Sequence, residues 1–152
     1  MANLKNYTSQ VDASKSIAQI ERRLCELGAM RVSKDFDRNR KVYTALYFEL
    51  QLDRGPIAFK IPANIDACFR YINGSRKKKT EDGAKRDWEQ AERTAWKTIW
   101  DWVDAQAALI EMDQATVAQA FLSQSYNREA GKTLYELVSD YGFPKTLNAY
   151  NP

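Results

Sequence analysis

From Lys41 to Leu52 the chain alternates. Val42, Thr44, Leu46, Phe48, Leu50 and Leu52 fall on one side of an extended backbone, and Tyr43, Ala45, Tyr47, Glu49 and Gln51 on the other. A period of two is the mark of a strand with one buried face. Asp53-Arg54-Gly55 supplies a turn, after which Ile57, Phe59 and Ile61 alternate with Pro56, Ala58 and Lys60 in a returning strand. Pro56 has no backbone donor, which suits a strand start or a sheet edge. Residues 30–36 predict a strand upstream, joined to this hairpin by the polar turn Asp37-Arg38-Asn39-Arg40, and residues 3–11 a weaker first strand.

Elsewhere the period lengthens to that of a helix. Ile17, Ile20, Leu24 and Leu27 recur at steps of three and four, with Asp12 or Ser14 placed to cap the first turn and Gly28 to end the last. Asn64 opens a short predicted helix carrying Ile65, Cys68, Phe69 and Ile72, and Gly74 closes it. A long tryptophan-rich helix is predicted over residues 84–112. Its polar face is Glu89, Arg93, Lys97, Asp101, Asp104 and Glu111; its apolar side holds Trp88, Ala91, Ala95, Ile99, Trp102, Val103 and Ile110, with Trp96, Trp100 and Ala107 alongside. So broad a stripe predicts packing on the sheet with one side and on later helices with the other. Helical spacing favours core or helix–helix packing for the tryptophans; Trp96 and Trp100, which flank the stripe, are the pair best placed to reach the surface, where tryptophan favours contact with a partner or a second copy. Val117, Ala118, Phe121 and Leu122 predict another short helix. Leu134, Leu137 and Val138 predict a last one, ended by Gly142 and Pro144.

The pattern implies an α+β domain spanning residues 1–152. A small, mainly antiparallel sheet in β-α-β-β-β order packs on helices, and a charged loop over 75–83 leads into a helical C-terminal half. A hydrophobic share of 44% is ample for a core at this length. The opening residues have no apolar leader and no apolar run approaches the ~18 residues of a membrane span, so a cytoplasmic protein without a membrane partner is expected. Cys25 and Cys68 then read as reduced, buried thiols.

Chemistry is narrowed most by the absence of histidine. It removes Ser-His-Asp and Cys-His nucleophile systems and the commonest transition-metal ligand, so no metal and no cofactor is expected. The stretch NREAGKT (127–133) matches the end of a phosphate-binding GxxxxGK[ST] loop, but Tyr126 stands where the first glycine belongs and no buried strand precedes it. A metal-dependent nuclease would place an acid two positions before a strand lysine, where Ala58-Phe59-Lys60 has alanine. Nothing in the spacing forces Glu21, Asp35, Asp37 and Glu49 together. Catalysis has no motif to stand on.

Charge is distributed unevenly. Residues 22–97 hold 18 bases against 11 acids, while residues 98–152 hold three against seven. Arg76, Lys77, Lys78 and Lys79 are consecutive, with Arg70 before them and Lys85 and Arg86 after; Arg38, Arg40 and Lys41 lie in a separate turn. Bases on loops neutralise phosphates without reading sequence, so these residues are the expected contacts of a non-enzymatic protein that binds DNA or RNA. A solvated surface loop is the bland alternative. A further one is a protein–protein inhibitor or adaptor acting through Trp96, Trp100 or the tyrosines at 126, 135, 141 and 150.

Three stretches, NYTSQVDASKSIAQIERRLCELGA, GPIAFKIPANIDA and AERTAWKTIWDWVDAQAALIE, together resemble a group of small uncharacterised bacterial and phage-borne proteins. The resemblance implies a bacterial or mobile-element setting, in which handling DNA or blocking a host defence is a common task. It supplies no functional residues.

Overall fold

The computed structural model describes residues 4–143, which adopt an α+β fold. Helix α1 (Ala13–Glu26) precedes an antiparallel sheet of β1 (Arg31–Asp37), β2 (Val42–Leu52) and β3 (Gly55–Pro62), in that spatial order. Helix α2 (Ile65–Gly74) and the 31-residue α3 (Glu81–Glu111) follow. Helix α4 (Val117–Phe121), a 3-10 turn, the short strands β4 (Tyr126–Asn127) and β5 (Lys132–Thr133), and helix α5 (Leu134–Tyr141) complete the described chain.

The strand expected over residues 3–11 is not formed by 4–11, and Asn3 lies outside the described residues. Asn6 sits at φ 63°, a left-handed conformation that no strand contains, and turn hydrogen bonds run from Tyr7 N–H to Leu4 O and from Ser9 N–H to Asn6 O. The segment lies instead against α3. The Asn6 amide donates to Thr98 Oγ1 at 3.2 Å and to Asp101 Oδ2 at 3.0 Å, while Thr94 Oγ1 donates to the Asn6 carbonyl.

Local signals set most of the other boundaries. Asn64 accepts the Ala67 N–H at 3.0 Å and starts α2 as the sequence predicts. Thr80 accepts the Gly83 N–H at 2.9 Å, so α3 starts earlier than residue 84 and shortens the charged connection to residues 75–80. Gly28, at φ 96°, closes α1 with bonds from Gly28 N–H to Cys25 O and from Ala29 N–H to Leu24 O.

The β2 alternation holds from Leu46 to Leu50 but slips before it. Asp35 pairs with Ala45 and Phe36 with Tyr43, so Thr44 has no partner on β1. An extra residue on one strand bends it and shifts its facing. Adjacent Ala45 and Leu46 are therefore both buried, and Val42 joins a different cluster from Leu46, Phe48 and Leu50. The main core gathers Ile17, Ile20, Leu24, Leu46, Phe48, Leu50, Phe59, Ile61, Trp96, Val103 and Phe121; the second gathers Val42, Ile65, Ile72, Ala91 and Ala95.

Candidate nucleic-acid interface

The basic turn between β1 and β2 is tied down by its own acid. Asp37 accepts the backbone N–H groups of Asn39 at 2.9 Å and Arg40 at 3.1 Å, while the Arg40 Nε donates to its other oxygen at 2.8 Å. The Arg40 side chain, followed by these backbone donors, holds the Asp37 carboxyl below the usual carboxylate range. Arg40 also reaches out of the turn. Its Nη1 donates to Asp66 Oδ2 at 2.7 Å, in the first turn of α2, and its guanidinium lies 5.6 Å from the Trp88 ring centroid on α3. The turn bearing Arg38 and Lys41 is thereby held against the first turn of α2 and the Trp88 face of α3.

Arg76 has a similar bracing part. It donates from Nη2 to Asp87 Oδ1 at 2.6 Å and from Nε to Asp87 Oδ2 at 2.8 Å, and Asn73 adds a donor to the same carboxylate at 3.1 Å. Asp87 is almost fully buried, and its carboxyl is held down chiefly by the Arg76 hydrogen bonds, against the opposing pull of burial. A Cβ at Gly83 would stand 2.8 Å from Thr80 Oγ1 and 3.1 Å from Arg76 Cδ, so a larger residue there would have to displace the Thr80 cap or the Arg76 stem. Lys79 donates to the Asn73 carbonyl. Of the bases singled out by sequence, Arg40 and Arg76 are engaged in ion pairs. Arg38, Lys41, Arg70, Lys77, Lys78, Lys85 and Arg86 are exposed and make no ion pair among the described residues.

The tryptophans pack into the core, and of the pair placed to reach the surface Trp96 does not reach it. Trp96 has no exposed surface, and its indole Nε1 donates to the Tyr43 carbonyl at 3.3 Å, beside the unpaired Thr44. Burying an indole requires an acceptor for its N–H, and the bulged strand supplies one. Trp96 is thus a core residue and has no partner-facing surface. Trp100 is half-buried against the same core and lines a shallow cleft of about 300 Å³ with Arg22, Arg23, Glu26 and Asp104. Cys25 is exposed, contrary to expectation, because it sits one residue beyond Leu24 and so off the buried stripe of α1. Cys68 is half-buried, and burial pushes its thiol pKa up. The exposed aromatics are Phe36, Tyr71, Tyr135, Tyr141 and Phe143; Tyr150 lies outside the described residues.

The stretch 127–133 is a tight hairpin between β4 and β5. Asn127 Oδ1 accepts the N–H groups of Glu129 and Ala130, each at 3.0 Å, Gly131 takes φ 65°, and Lys132 pairs with Asp140. Sequence reasoning, which reads this stretch as a polar loop between helices, foresaw neither the hairpin nor where it lies. It covers part of the sheet face turned away from α1 and α3, with the Tyr126 ring 5.3 Å from Tyr47 and Arg128 bound to Glu49 at 3.0 Å. Two adjoining clefts of about 550 and 780 Å³ share Glu49, Ala58, Tyr126 and Arg128. The Tyr47 hydroxyl donates to Asp35 Oδ2 at 2.8 Å, and burial, then Asp35, raises its pKa. Asp35 and Glu49 share this face, but each is engaged by its own donor, while Glu21 is paired with Lys34 at 2.6 Å. Among the described residues no three Asp, Glu, Cys or His side chains converge to hold a metal.

Comparison of the chain with protein-family models, with curated proteins and with solved structures finds no match.

Proposed function

We propose that the protein binds nucleic acid as a non-enzymatic, sequence-tolerant partner of the phosphate backbone. The contacts are Arg38, Lys41, Arg70, Lys77, Lys78, Lys85 and Arg86. The reading rests on one observation: Arg40 ties the basic β1–β2 turn to Asp66 on α2 and Trp88 on α3, the two helices that carry or flank the second basic segment. Arg40 and Arg76 each serve to position their own basic segment, since their guanidinium groups already hold carboxylates.

Fluorescence anisotropy with labelled duplex and single-stranded oligonucleotides tests the proposal. Log affinity for duplex should fall with log salt by about 0.9 for each phosphate neutralised. Replacing Lys77, Lys78, Lys85 and Arg86 by Gln should weaken binding and flatten that slope, leaving the fold intact because none of the four makes an ion pair among the described residues. Absence of binding at about 50 mM salt, or a slope unchanged in the variant, would sink the idea. The protein–protein reading keeps a smaller support in Tyr135, Tyr141 and Phe143, which are 60%, 88% and 66% exposed. A protein partner that survives nuclease treatment and is lost on Tyr135→Ala with Tyr141→Ala would favour it instead.

A further inference from the structure

Among the described residues, strand β1 is paired on one edge only. The sheet runs β1-β2-β3, and the far edge of β3 is bridged at Phe59 by Ser125, whereas no described residue pairs with the outer edge of β1. Five of the seven β1 residues are exposed, and Met30, just before the strand, and Phe36, next to its last residue, are each half exposed. An open edge is a template for another strand, and proteins usually blunt it with like charges. Here Arg31 and Lys34 balance Asp35 and Asp37.

That balance is self-complementary when the strand is laid antiparallel on itself. Centred on Ser33, Arg31 of each copy meets Asp35 of the other, Met30 meets Phe36, and Val32 meets Lys34. Centred on Lys34, Arg31 would meet Asp37 but Lys34 would face its own copy, and like charges directly opposite are destabilising. Lys34 is also held by Glu21 at 2.6 Å, which leaves its stem to cover Val32 in the first register. We propose that two copies of this chain join edge to edge through β1, in antiparallel register centred on Ser33. The product is one continuous sheet across a two-fold axis, the symmetry that self-complementary surfaces generate. A single strand pair buries less than the roughly 1,200 Å² of a stable interface, so the dimer forms in a concentration-dependent equilibrium.

Sedimentation velocity of the full chain from about 5 to 500 µM should show the mass rising toward twice that of the monomer. Arg31→Glu and Asp35→Arg should each weaken the dimer by about tenfold or more, since each sets like charges across the axis. Arg31 also lies opposite Glu49 within its own sheet, and Asp35 holds Tyr47, so either variant could act within one copy. Mixing the two variants resolves this, because opposite charges return only between copies. An equimolar mixture should recover the wild-type dimer. A chain that stays monomeric throughout, or a dimer indifferent to both reversals, would overturn the proposal. Rescue of Arg31→Glu by Asp37→Arg in place of Asp35→Arg would overturn the Ser33-centred register.

Discussion

Asp87 shows how one side chain can settle a local structure. It is nearly buried, takes two hydrogen bonds from Arg76 and one from Asn73, and keeps its carboxyl below the ordinary range. A group whose folded pKa is depressed stabilises the fold above its unfolded value and loses that contribution as pH falls through the folded one. Asp87→Asn should therefore cost about 1.5–3 kcal/mol at neutral pH, the range for hydrogen bonds to charged groups. Urea unfolding of both proteins across pH should show a constant difference above about pH 5, closing on acidification. A gap that persists at low pH would mean that the amide disturbs packing and not charge. The sequence displays Arg76 as the first of four consecutive bases, and nothing local marks it as different. Only the return of α3 over the loop puts Asp87, 11 residues on, within its reach.

At the scale of the element, both long helices close in the same way. In α1 the left-handed position is Gly28; in α3 it is Asp113, at φ 55°, with Gln114 N–H bonded to Leu109 O and Asp113 N–H to Ile110 O. A non-glycine residue is strained in that conformation. Asp113→Gly should stabilise the protein by about 1 kcal/mol, visible as a higher urea midpoint with an unchanged slope. A lower midpoint would mean that the aspartate makes a compensating contact. Helix ends and the β2–β3 hairpin were the most legible elements, because caps, left-handed glycines and alternation act over a few residues. The slip in β2 was not legible, since a bulge is fixed by the partner strand and by the acceptor that Trp96 requires.

For the whole molecule, Phe121 joins the C-terminal segment to the rest. Fully buried on α4, its ring lies 5.4 Å from Phe48, 6.2 Å from Phe59 and 5.5 Å from Trp102, drawing together β2, β3 and α3. Truncating a buried aromatic costs about 3–5 kcal/mol, and Phe121→Ala should lose that much. Limited proteolysis of the variant should cut first between residues 113 and 143, because no described residue of α5 is buried to hold that end by itself. First cuts within β2 or α3 would mean that the ring supports the sheet more than the tail.

By itself the sequence determined the α+β class, the β2–β3 hairpin, the spans of α1 and α2, and the uneven placement of charge. Each follows from a period or a cap that neighbouring residues carry. The tertiary structure alone decided which tryptophan is buried, which bases are engaged, and where the 127–133 hairpin lies. A helix with apolar residues over so much of its circumference has several faces it could bury, and an arginine in a basic run has no partner until the chain returns to it. Packing α1, α2 and the sheet along α3 selects Trp96 for the core and assigns Arg40 and Arg76 to their carboxylates.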